Sequence, residues 1–122
     1  MNTQVLPVND KSIALAAELL QKGELVALPT ETVYGIAADA RNGKAVKKIF
    51  EAKGRPQDNP LIVHIYGMEM LKGIVSEVPD RAYKLAKAFW PGPLTMVMPR
   101  GGEVSDVTCA GLDTVGVRMP SH

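Results

Sequence analysis

Hydrophobic and polar positions follow two rhythms along the chain. Between residues 9 and 23, Ile13, Ala16, Ala17 and Leu20 recur at helical spacing, which predicts an amphipathic helix. Asn9 or Asp10 caps its start and Gly23 ends it. An apolar run at 24–28 predicts a short buried strand, and "YGIAA", 34–38, a second. "NGKAVKKIFEAKG" predicts a helix capped by Asn42, with Val46, Ile49 and Phe50 inward and Lys47 and Lys48 outward. Gly54 marks its stop and Pro56 prevents continuation. "LIVHI", 61–65, predicts a buried strand and "GMEMLKGIV" a short helix. Residues 79–90 predict a longer helix with Ala82, Leu85, Ala86 and Phe89 facing in. "LTMVMP" and "TVGVRMP" predict two more strands, and the connection at 100–113 a short strand at 104–108.

This order predicts a mixed α/β class, with a twisted sheet flanked by helices. No repeat or internal linker divides the chain, so residues 1–122 are expected to form one domain. Several strands end in proline or a polar cluster: Leu28 before Pro29, Met98 before Pro99, Arg118 before Met119-Pro120. Ligands gather beyond strand ends in open α/β sheets.

Composition narrows the classes. The 122 residues allow one core, and 46% hydrophobic with 22% charged content is ordinary for a globular domain. A net charge of +1 excludes attraction of nucleic acid by the molecule as a whole, so any anion site is local. The single cysteine, Cys109, excludes an internal disulfide and reads as a small buried hydrophobe, which fits a reducing, cytoplasmic setting. Two histidines are too few for a His-based metal site, and no metal ligands are assigned. No stretch approaches the ~20 apolar residues of a membrane helix, and no signal peptide is expected.

Five clusters carry candidate chemistry. Pro29 to Gly35, "PTETVYG", sets hydroxyls and a phenol at a strand end. It suits either neutral polar recognition or a capping turn. Lys53 and Arg55, with Asn59 in the same loop, form an anion fork suited to a triphosphate. Cations at a helix end also complement the macrodipole, for only about 0.3–1 kcal/mol, but that leaves Pro56, Pro60 and Asn59 without a reason. His64, alone on an apolar strand, reads first as a hydrogen-bonded core residue. Arg118 is the one charge in a strand-like run; it either pairs with an internal carboxylate or waits for a ligand's. "WPGP" followed by Thr95 reads as a helix stop with an aromatic anchor. Walker A, GxGxxG and GxSxG motifs are absent, so any nucleotide is held by another loop design.

Taken in order, "PTETVYGIAADA", "KGRPQDNPLIVHI", "FWPGPLT" and "VGVRMP" closely resemble the YrdC/TsaC family, the threonylcarbamoyl-AMP synthases. The similarity runs from about residue 7 to the last residue. It implies a twisted sheet lining a basic cavity. The implied reaction joins L-threonine, bicarbonate and ATP, with Mg²⁺, into threonylcarbamoyl-adenylate and pyrophosphate. The product would serve N6-threonylcarbamoylation of tRNA adenosine 37, completed by threonylcarbamoyl-transfer proteins. By resemblance, Thr30, Thr32 and Tyr34 lie at the threonine and carbamate end, and His64 moves from the core to the pocket near threonine. Lys53 and Arg55 match the family's KxR motif and face the phosphates as catalytic residues, with Asn59 beside the nucleotide. Arg118 becomes a candidate for the threonine carboxylate.

Two other functions compete. One is a tRNA- or double-stranded-RNA-binding module using Lys47, Lys48, Lys53 and Arg55, which the weak net charge and few aromatics disfavour. The other is a carbamoyl-transfer relative of hydrogenase maturation, disfavoured because nothing resembles its acylphosphatase or zinc-finger domains. The family continues past "RMPSH" with more sheet and an SxN motif, so the resemblance implies an incomplete, N-terminal portion of the domain. Its uncovered sheet is expected to promote association, as a dimer or swapped assembly.

Overall fold

Asn9 opens the first helix with a reciprocal cap. Its side-chain oxygen accepts the Ser12 N–H at 2.9 Å, and its own N–H donates to Ser12 Oγ at 3.0 Å. The computed structural model describes residues 4–29, 34–54 and 60–121, and here α1 runs Asp10–Gln21. Its inward face is rotated from the expected one. Leu15, Ala16, Leu19 and Leu20 are half-buried, whereas Ile13 and Ala17 are exposed. The run of alanines and leucines supports two adjacent stripes, and spacing alone does not choose between them.

Strand β1 (Val26–Pro29) pairs antiparallel with β2 (Tyr34–Ala37), with Val26 opposite Ala37 and Pro29 opposite Tyr34. Pro29 is therefore the last member of β1, a strand-end position where a missing N–H is tolerated. Helix α2 (Gly43–Lys53) follows. Asn42 Oδ1 accepts the N–H groups of Lys44 and Ala45 at 3.1 and 3.2 Å. Gly54 caps the other end at φ 63°, the left-handed conformation that a side chain resists. Ala45, Val46, Ile49 and Phe50 are buried, and Lys48 Nζ donates to Gly23 O at 2.9 Å, tying α2 to the turn after α1.

Strand β3 is Ile62–His64. The helix expected next is only a 3-10 turn (Met68–Met70) and one further turn, α3 (Leu71–Ile74), because Lys72 and Gly73 leave helical geometry. Helix α4 (Asp80–Phe89), β4 (Thr95–Pro99) and β5 (Thr114–Arg118) complete the order. The described strands divide into the β1–β2 pair and a three-stranded sheet ordered β3-β5-β4. In that sheet β5 is central, parallel to β3 and antiparallel to β4.

The three-stranded sheet is two-faced. Val63, Met96, Met98, Val115 and Val117 face a core shared with Leu71, Ile74, Val75, Ala82, Ala86, Trp90, Val104 and Cys109. Val117 is completely buried, at 0% exposure. The "LIVHI" strand is correspondingly half-exposed: Val63 is inside, while Ile62 and His64 lie on the other face. Helix α4 meets the core through Ala82, Ala86 and the following Trp90, a row at i, i+4, i+8. Leu85 and Phe89, expected inside, are 41% and 58% exposed. Small residues in the contact row bring the backbone close to its partner and turn the bulky pair outward.

The strand expected at 104–108 is a series of turns. Arg100 holds them: Nη2 donates to Val104 O at 2.9 Å and pairs with Asp106 at 2.5 Å. Thr108 Oγ1 donates to Ala40 O at 3.0 Å, and Leu61 N–H to Thr108 O at 2.9 Å, locking this segment between α2's approach and β3. Its entry is tight. Gly101 N–H donates to Ile74 O at 2.8 Å, and a Cβ on Gly101 would lie 2.2 Å from Gly73 O. Since the atom it would meet is backbone, Gly101→Ala is expected to cost about 1–3 kcal/mol in urea unfolding. An unchanged midpoint would show that the segment moves aside freely.

Candidate functional site

The exposed face of the three-stranded sheet carries one polar row. His64 on β3 is the register partner of Arg118 on β5, and Arg118 is the partner of Thr95 on β4. Strands in a sheet lie ~4.8 Å apart, so the row spans roughly 10 Å. All three side chains leave the same face, because their neighbours Val63, Val117 and Met96 are the ones turned into the core. The main chain of the row is fixed as well, since Ile65 N–H donates to Arg118 O at 2.9 Å.

Arg118 pairs with no carboxylate among the described residues. Instead its Nε and Nη2 donate to Thr95 Oγ1, at 2.9 and 2.7 Å. Among the described residues a hydroxyl is what holds this half-buried guanidinium, and such a group is chemically suited to a carboxylate in a charge-assisted fork. His64 is exposed, which corrects the reading of it as a core histidine; on a half-open strand the alternate positions face out.

Beside the row lies a pocket of about 260 Å³ whose lining includes Leu61, Ile62, Thr95, Val97, Leu112 and Gly116. Gly116 keeps its floor low: a Cβ there would meet the Thr95 methyl at 3.4 Å and Ile62 Cγ1 at 3.9 Å. The arrangement sets a mostly apolar hollow next to the row that carries the Arg118 cation.

The other expected site residues lie apart or outside. Lys53 is exposed in the last turn of α2, and among the described residues it has no ion-pair partner and no bond to the polar row. Tyr34 begins β2 opposite Pro29. Thr30, Thr32, Arg55 and Asn59 lie outside the described residues. Among the described residues no three His, Cys, Asp or Glu side chains gather in a way that could hold a metal ion. Thr95 was not among the expected site residues. In the sequence it reads only with "WPGP" as part of a helix stop; its place beside Arg118 comes from the β4–β5 register.

Cys109 belongs to the core, at 1% exposure. Burial pushes its thiol above the ordinary value, with nearby Arg100 opposing and Asp106 reinforcing the shift. The folded state therefore holds the thiol proton more tightly than the unfolded chain. Stability from this source is fully present below the ordinary thiol pKa and is lost as pH rises through the folded value. Alkylation of native protein at neutral pH is expected to be negligible and to appear on unfolding. Rapid labelling of the native form would show Cys109 to be accessible.

The family model for Sua5/YciO/YrdC, described as telomere recombination, matches residues 18–122. The chain belongs to the Sua5/YciO/YrdC family. Among its relatives, the threonylcarbamoyl-AMP synthase of Pyrococcus abyssi is 55% identical over 115 residues, covering 94% of this chain and 34% of the relative. That of Bacillus subtilis is 53% identical over 121 residues, covering 98% of this chain and 35% of the relative. The crystal structure of P. abyssi Sua5 complexed with L-threonine matches with a TM-score of 0.91 at 54% identity, over 96% of this chain and 34% of that one. The chain thus spans about a third of the length of these Sua5 relatives. Among the described residues, no helix of this Sua5/YciO/YrdC chain is long and apolar enough to cross a membrane.

Proposed function

We propose that the chain acts in L-threonylcarbamoyladenylate synthesis and that its exposed sheet face is the threonine end of the site. The observation that carries this is Arg118, held by Thr95, without a carboxylate partner among the described residues and flanked by His64. Relatives more than half identical are named threonylcarbamoyl-AMP synthases, and one was crystallised with L-threonine, which supports the reading.

In this reading Arg118 takes the threonine carboxylate. The threonine amine attacks the carbon derived from bicarbonate, giving a carbamate with loss of water. A carbamate oxygen then attacks the α-phosphorus of ATP, forming the mixed anhydride while pyrophosphate leaves. No protein nucleophile is needed, so catalysis rests on holding the reactants in order and neutralising charge. Lys53, with Arg55 and Asn59, is assigned to the phosphates as a cationic partner for pyrophosphate departure. Thr30, Thr32 and Tyr34 are assigned to the carbamate end.

The test is pyrophosphate release from ATP in the presence of bicarbonate and Mg²⁺, with and without L-threonine, paired with calorimetric titration of threonine. Threonine-dependent release is expected. Release indifferent to threonine, or neither release nor threonine binding, would overturn the proposal.

A further inference from the structure

Thr95 and Arg118 behave as one unit on the open face. A guanidinium has two edges that can each offer a pair of donors. The lateral edge is Nε with Nη2, and the terminal edge is Nη1 with Nη2. Thr95 Oγ1 sits on the lateral edge, accepting from both Nε and Nη2. Among the described residues the terminal edge is thereby the one left to an incoming carboxylate.

The hydroxyl is itself well fixed. Thr95 is β-branched, so its χ1 has few wells. Its methyl lies beside Gly116, where a Cβ would stand only 3.4 Å from it. With the methyl on that side, the oxygen is left facing Arg118. The bond is also not needed to hold β4 against β5. The strands pair from Thr95↔Arg118 through Pro99↔Thr114, and their inner faces are buried.

We infer that Thr95 is a positioning residue: it fixes the Arg118 guanidinium so that its terminal edge meets the substrate carboxylate end-on. This rests on the threonine site proposed above and extends it to a residue that touches Arg118 from the neighbouring strand. Without the hydroxyl, the guanidinium would swing among rotamers, and each carboxylate would have to arrest it anew. The penalty would fall on carboxylate recognition alone.

The experiment is calorimetric titration of the whole chain with L-threonine and with L-threoninamide, which lacks the carboxylate. Thr95→Val keeps the shape and removes the acceptor; Thr95→Ser keeps the oxygen. Thr95→Val is expected to weaken threonine binding by about five- to tenfold, the size of one or two modest hydrogen bonds. Its threoninamide affinity should stay within about twofold, and Thr95→Ser should restore most of the threonine affinity.

Undiminished threonine binding by Thr95→Val, in a protein where Arg118→Met loses it, overturns the positioning role and leaves the carboxylate site standing. Undiminished binding in both variants overturns the site itself. Should Thr95→Val fail to fold, Thr95→Ala serves as the second oxygen-free variant. Unfolding of both assigns Thr95 to strand pairing and overturns the inference.

Discussion

Arg118→Met is expected to weaken L-threonine binding by roughly thirty- to a hundredfold, about 2–3 kcal/mol, with little change in thermal stability. The size follows from losing a charge-assisted contact to a carboxylate at a partly screened site. The small effect on stability follows from position. Arg118 lies on the exposed face, and its backbone is held by Ile65 and by the β4 ladder whatever its side chain. Met retains length and covers the same floor. Arg118→Lys is expected to fall between the two, since an ammonium keeps charge but loses the planar fork. Titration with threonine, alongside a melting curve, decides the matter. Wild-type affinity in Arg118→Met would remove Arg118 from the site.

Trp90→Ala is expected to have the largest effect on the fold. The indole is 9% exposed and joins α4 to the core beneath β4 and β5. Its Nε1–H donates to Leu94 O at 2.8 Å, so the same side chain fastens the segment after α4, where the Trp90–Pro91 peptide is cis, to the start of β4. Loss of a buried aromatic costs about 3–5 kcal/mol, against a total of about 5–15 kcal/mol for a domain. Melting should fall by on the order of 10–20 °C for a chain of this size. A shift of only a few degrees would show that Leu94 and the surrounding methionines close the gap. Threonine affinity, read well below the melting point, should fall too, because Thr95 follows Leu94 directly.

Much of the fold was legible because local chemistry decides it. Asn9, Asn42 and Gly54 announce helix ends through groups that satisfy orphan donors or tolerate a left-handed φ. The strands of the second sheet were placed by their apolar runs and flanking prolines. What failed was partnership. Spacing put Leu85 and Phe89 inward on α4, but the alanine row won because it fits closer. An apolar run at 61–65 suggested burial on both faces, although covering depends on what packs there. Residues 104–108 are β-branched enough to read as a strand, yet Arg100 claims Val104 O from within the turn.

The site divides along the same line. Arg118 stands out in the sequence as an isolated charge in an apolar strand, whereas His64 reads there as a core residue and reaches the site only through the family resemblance. That they stand side by side depends on the β3–β5 register, and register is set by distant packing. Thr95 was passed over because its role exists only through a neighbour 23 positions away.

The order of the three-stranded sheet bears on how the protein comes into being. Strands β3 and β4 are made before β5, yet among the described residues they do not pair with each other; each pairs with β5. During synthesis both must wait, without the partner they will pair with, until the central strand leaves the ribosome, and non-local closure of this kind is slow. The strand that joins β3 to β4 also delivers Arg118 between His64 and Thr95. Nascent chains stalled before residue 114 should therefore be open to proteases and unable to retain threonine, and both properties should change together once β5 has emerged.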